Sequence, residues 1–122
     1  MRASTRVLPA VLLIILTVLS QFSTPKSVCA ACGGTVYVDK DSAAPSPTGC
    51  TWALAFPTLQ DALTLGTLVS GDQIWVADGT YYPDQGAGQT NNARTSTFTL
   101  VNGVRIYGGF NGTEGSLAAR NP

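Results

Sequence analysis

Three stretches of the chain alternate apolar and polar positions with the period of two that a half-buried strand requires. Thr35 to Val38 (TVYV) is the first. In Gln73 to Ala77 (QIWVA), alternation places Ile74 and Val76 on one face and Gln73, Trp75 and Ala77 on the other. The third runs from Val104 to Phe110 (VRIYGGF), with Val104 and Ile106 inward and Arg105 and Tyr107 outward. Two shorter runs read as further strands. Thr80 to Tyr82 (TYY) is stopped by Pro83, which cannot donate to a ladder, and Ser96 to Leu100 (STFTL) turns Phe98 and Leu100 inward.

Between the first and second strands the period changes. Phe56, Leu59 and Leu63 recur at helical spacing with Gln60, Asp61 and Thr64 between them, which predicts a short amphipathic helix over Phe56 to Leu65. Pro57 suits its first turn, where a missing N–H costs nothing, and Gly66 stops it. Two segments carry no periodic pattern. Asp39 to Gly49 (DKDSAAPSPTG) is a Pro/Ser/Asp loop, and Asp84 to Asn92 (DQGAGQTNN) reads as a mobile surface loop.

Asp78-Gly79 and Asn102-Gly103 are dipeptides that favour two-residue hairpins. Another alignment competes with that reading. With Gly71 set on Gly103, Ile74 falls on Ile106 and Trp75 on Tyr107, an echo whose period drops to the low twenties once the Asp84 to Asn92 loop is set aside, within the range of stacked repeats.

The N-terminus stands apart from these patterns. Arg2 and Arg6 precede an apolar run from Val7 to Leu19 that is shorter than the ~20 residues a bilayer span needs, so residues 1–30 read as a signal peptide. Cleavage before Ala31 follows the small residues Val28 and Ala30; cleavage after Ser20 is the alternative. Either cut gives an extracytoplasmic chain, secreted or at the cell surface, with no transmembrane span left after processing. Downstream of Ala30, Lys40, Arg94, Arg105 and Arg120 face seven carboxylates, a net charge of −3. An acidic chain without a basic stripe argues against nucleic acid and anionic membranes as partners.

Cysteine use follows from export. Cys32 and Cys50 are placed to form one disulfide in an oxidising compartment, worth about 3 kcal/mol on a chain-entropy argument; two free thiols, or pairing with Cys29, are the alternatives. The Cys29 to Cys32 C-x-x-C spacing lacks a second such pair, and the chain has no histidine, so neither a metal nor a cofactor is expected. Asp39 and Asp41, with Lys40 between them, fall short of a calcium ligand set and read as turn residues.

Four blocks in order, Tyr37 to Asp39, Trp52 to Leu63, Gly71 to Tyr81 and Phe98 to Glu114, resemble the N-terminal segment of bacterial extracellular right-handed parallel β-helix proteins of the pectin-lyase-like superfamily. Thr51 departs from the Ser usual there. The resemblance implies an all-β solenoid, a right-handed parallel β-helix of which only the first coils are present. Residues 1–30 would be the signal peptide, 31–55 the N-terminal strand and loop, and 56–122 a capping helix and first coils, truncated at the C-terminus. It also implies that any catalytic residues of such a protein lie on coils beyond Pro122.

No residue of this segment is assigned to catalysis, to a cofactor or to a metal. Trp75, Tyr81, Tyr82 and Tyr107 are the candidate aromatics for stacking on sugar rings, with stacking on one another in register as the competing role. A structural, adhesive or carbohydrate-binding part of a secreted or surface protein is therefore expected, with polysaccharide or cell-surface components as partners. The alternative is the N-terminal cap of a polysaccharide lyase or glycoside hydrolase.

Overall fold

Three parallel strands form the centre of the computed structural model, which describes residues 32–122. The expected signal peptide, its two alternative cleavage sites and Cys29 lie outside the described residues. Strand β1 is Thr35–Val38, β2 is Gln73–Ala77 and β3 is Arg105–Phe110, in the order β1-β2-β3. Helix α1 is Leu59–Leu63, and short 3-10 turns occupy Trp52–Leu54 and Leu117–Ala119.

The register follows the sequence echo. Val36 pairs with Ile74 and Tyr37 with Trp75, and on the other side Ile74 pairs with Ile106 and Trp75 with Tyr107. The hairpins suggested by Asp78-Gly79 and Asn102-Gly103 do not form, because both strand pairs are parallel: Asp78-Gly79 carries the chain off the end of β2, and Asn102-Gly103 carries it into β3. Strand β2, with a neighbour on each side, is buried from Ile74 through Ala77, as a central parallel strand should be.

The right-handed parallel β-helix implied by the resemblance is corrected here. The described residues form a small domain around one three-stranded parallel sheet with few helices, not an all-β solenoid. A solenoid coil needs further strands to close its other faces, and the segments expected to supply them make no ladder. Thr80 to Tyr82 has no strand structure, and the Tyr81 hydroxyl instead donates to the Ala77 carbonyl at 2.9 Å. Ser96 to Leu100 is likewise irregular: Phe98 packs against the core, but Leu100, expected inward, is 69% exposed.

The helix is shorter than its apolar period. Phe56 is drawn to the sheet: its N–H donates to the Tyr37 carbonyl at 2.9 Å, its carbonyl accepts from Asp39 N–H at 2.9 Å, and it bridges Val38 in parallel. A residue bonded this way cannot start a helix. Thr58 caps α1 instead, its side chain accepting from the Asp61 N–H at 3.2 Å. These bonds also close the outer edge of β1, together with the Tyr37 N–H bond to the Gly49 carbonyl at 2.8 Å. Gly49 must be glycine, since its φ is +72° and a Cβ would run into the Phe56 ring and Val36.

One face of the sheet carries the aliphatic core. Val36, Val38, Ile74 and Val76 pack with Phe56, Ala62, Leu63 and Leu68. Ile106, expected inward, is 38% exposed because among the described residues no strand lies beyond β3. The other face is aromatic. A register shift between Trp75 and Ala77 inserts an extra residue into β3 at the Gly108-Gly109 pair, so that Phe110 pairs with Ala77. Because side chains alternate, that one residue brings Phe110 onto the side of Trp75, where it is fully buried.

Candidate functional site

Four rings close a circuit on the aromatic face. Tyr37 meets Trp52 edge-on with centroids 4.8 Å apart and Trp75 edge-on at 5.6 Å; Trp75 stacks on Phe110 at 4.7 Å, and Trp52 tilts against Phe110 at 5.5 Å. These separations lie in the favourable range for aromatic pairs. Both indole N–H groups are bonded, that of Trp52 to the Glu114 carbonyl at 2.8 Å and that of Trp75 to Gln73 Oε1 at 2.9 Å. Trp75 is therefore a core residue, and the ring stacked on it belongs to Phe110 rather than Tyr107.

The four aromatics considered for sugar stacking are not brought together as one surface. Tyr81 is half-buried, its hydroxyl also accepting from the Lys40 N–H at 3.2 Å, and burial raises its pKa above the ordinary phenol value. Tyr107 is half-buried, with the Arg120 guanidinium 5.3 Å from its ring centroid. Tyr82, at 52% exposure, is the open ring of the set.

The loop read as mobile is instead tied down. Gln60, buried on α1, donates from Nε2 to the Pro83 carbonyl at 2.6 Å and to the Thr97 carbonyl at 3.0 Å, clamping both ends of the loop. Asp61 joins the helix cap to the loop: Oδ2 accepts from the Thr58 hydroxyl at 2.6 Å and Oδ1 from the Ala87 N–H at 2.8 Å. Gly86, at φ +81°, lies where a Cβ would strike the Thr58 hydroxyl. Further bonds run inside the loop, from the Gln89 N–H to the Gly86 carbonyl at 2.8 Å, from the Asn92 N–H to Asp84 Oδ2 at 2.6 Å and from the Ser96 hydroxyl to Gln89 Oε1 at 3.2 Å. A loop with joined ends, packed by its own side chains, is an Ω-type loop, a class often used for function.

This loop borders a shallow, solvent-open groove of about 340 Å³ lined by Pro83, Asp84, Asn92, Ala93, Arg94 and Ser96. Asn92 stands at φ +65° and Ala87 at φ +37°, left-handed conformations that cost a non-glycine residue energy and cluster at functional sites. None of the lining residues was singled out from the sequence. The legible signal was Gln60, a long polar side chain inside the apolar helical stripe, which needs a buried partner.

Most carboxylates hold turns. Asp39 accepts the Asp41 N–H at 2.9 Å, Asp72 the Val69 N–H at 2.9 Å, and Glu114 the Asn111 N–H at 2.6 Å and the Thr113 N–H at 2.9 Å. With Asp61 and Asp84, five acids thus serve backbone N–H groups. The Asn111 N–H is the chief cause of a Glu114 pKa below its ordinary value. Lys40 and Asp41 form an exposed ion pair at 2.6 Å, which raises the Lys40 pKa mainly through that hydrogen bond. Among the described residues no group of three or more acidic or thiol side chains could hold a metal ion, and no helix is long and apolar enough to cross a membrane.

Cys32 and Cys50 are disulfide-bonded, with Cα atoms 4.7 Å apart across a sequence separation of 18. The bridge ties the approach to β1 to the segment that carries Gly49 and Trp52. Compared with protein-family models, curated proteins and solved structures, the chain matches none.

Proposed function

We propose that residues 32–122 are a non-catalytic domain of an exported protein, secreted or held at the cell surface, with a structural, adhesive or carbohydrate-binding role. The observation that carries this reading is the use of the carboxylates. Five of the seven carboxylates among the described residues, Asp39, Asp61, Asp72, Asp84 and Glu114, accept a backbone N–H in a turn or loop. A general acid or base needs a carboxyl group free to meet substrate with a pKa near the working pH. Carboxylates fixed as turn acceptors stiffen the fold instead, and of the five Asp84 still has its second oxygen open to a ligand's donor. The disulfide supports export, since such bridges persist in oxidising compartments.

Expression of the full chain in a bacterial host, followed by fractionation, N-terminal sequencing and non-reducing peptide mapping, tests the proposal. Recovery outside the cytoplasm, a start at Ala31 or Gln21 and a Cys32–Cys50 peptide are expected. An unprocessed cytoplasmic product would overturn export. New reducing ends or unsaturated products released from polysaccharides by the purified chain would overturn the non-catalytic reading in favour of a lyase or hydrolase.

A further inference from the structure

The groove in the loop between Pro83 and Ser96 has a charge pattern that its structural role leaves unexplained. Asp84 and Arg94 line the same cavity, yet the Lys40–Asp41 contact is the sole ion pair among the described residues. Arg94 thus presents a planar set of donors with no carboxylate on it. Asp84 has one oxygen committed to the Asn92 N–H, while the other makes no protein hydrogen bond. The Ser96 hydroxyl donates to Gln89 and keeps its acceptor lone pairs, and Asn92 offers both a donor and an acceptor.

Resting on the exported, carbohydrate-binding form of the reading above, we infer that this groove binds one unit of a neutral saccharide. Ring hydroxyls can donate to Asp84 and accept from Arg94, a pair of groups that a ligand with a single polar end cannot satisfy. One acid and one base leave the lining without net charge. An anionic sugar would gain at Arg94 and lose at Asp84, and a cationic one the reverse, whereas a neutral ring can use both groups without that loss. Pro83 and Ala93 give the lining an apolar portion for C–H groups, and exposed Tyr82 directly precedes Pro83. The volume of about 340 Å³ is at the small end of ligand pockets and the groove is open to solvent, so a sugar unit would lie along it with one side in water. The clamps from Gln60 and Asp61 hold the loop before any ligand arrives, so little ordering entropy opposes binding.

The test is a nitrogen-edited NMR titration of the full processed chain with oligomers of glucose, xylose, mannose and galactose, and with oligogalacturonate and glycylglycine as charged comparisons. Shift changes centred on Asp84, Asn92, Arg94 and Ser96 with a neutral oligomer are expected. Arg94→Ala should weaken that binding about tenfold, as loss of a charge-assisted hydrogen bond would, while Arg105→Ala leaves it unchanged. Shifts centred elsewhere, equal binding by Arg94→Ala, response to the charged probes only, or no response to any neutral oligomer at about 10 mM would each overturn the inference. Export and disulfide formation are read separately by fractionation and peptide mapping, so an exported, bridged chain that binds none of these sugars refutes the groove assignment and leaves the structural reading standing.

Discussion

Strand β2 is buried on both of its faces, but Ile74 and Val76 pack in a mainly aliphatic cluster with neighbouring strands and α1, whereas Trp75 packs against the rings of Tyr37 and Phe110. The aliphatic face follows from simple alternation in β1 and β2, and many combinations of branched side chains could fill it. The aromatic face depends on particular geometry. It needs the extra residue in β3 to bring Phe110 across, and it needs a segment from outside the sheet to bring Trp52 over Tyr37. A regular period thus builds one half of the core, and an irregularity builds the other.

The most severe way to break the aromatic half is Phe110→Ala. It removes a fully buried ring that touches both tryptophans, and a loss of about 3–5 kcal/mol is expected in urea unfolding, with collapse of the near-UV circular dichroism. Retention of that signal would show that the circuit does not depend on Phe110. Replacing Cys32 and Cys50 together by serine should cost about 3 kcal/mol, because the bridge restricts the unfolded chain. Tryptophan fluorescence should report the change as well, since Cys50 precedes the Trp52 turn.

On the aliphatic side, Ile74→Val trims one methylene from a site with partners of similar shape. About 0.5–1.5 kcal/mol should be lost with the near-UV signal intact, and disappearance of that signal would show that the two faces are coupled. The smallest effect concerns pH. The Glu114 carboxyl is held below its ordinary pKa by backbone N–H groups, so its contribution is present above the unfolded-state value and is lost as the pH falls through the lower folded value. Glu114→Gln should flatten that part of the acid limb in a melting-temperature profile. An unchanged slope would mean that the Asn111 to Glu114 turn, whose carbonyl receives the Trp52 N–H, is not coupled to the aromatic face.

How far the sequence could be read varied along the chain. The three strands and the pairing of Ile74 with Ile106 and Trp75 with Tyr107 were legible, because a period of two and an echoed Gly turn constrain register directly. The helix was legible in its centre but not at its start. Phe56 has the apolar spacing of a helical residue, and only the nearness of β1 gave its backbone a better partner. The candidate site was least legible. Asp84 to Asn92 is rich in residues that favour mobile loops, and nothing local announces that Gln60 and Asp61 on α1 will hold it.

By itself the sequence determined the three strands whose alternation is sustained, the register implied by their echoed glycine turn and the centre of the helix, but it also offered Thr80 to Tyr82 and Ser96 to Leu100 as strands, which do not form. Side-chain alternation and the backbone preferences of glycine and proline are local, so they survive without a partner. The tertiary structure decided that these units form one three-stranded sheet rather than a closed coil, that Phe110 and Trp52 join Trp75, and that a polar loop becomes a fixed groove. Those outcomes depend on one inserted residue and on hydrogen bonds between distant segments, whose energies exist only once the chain has brought them together.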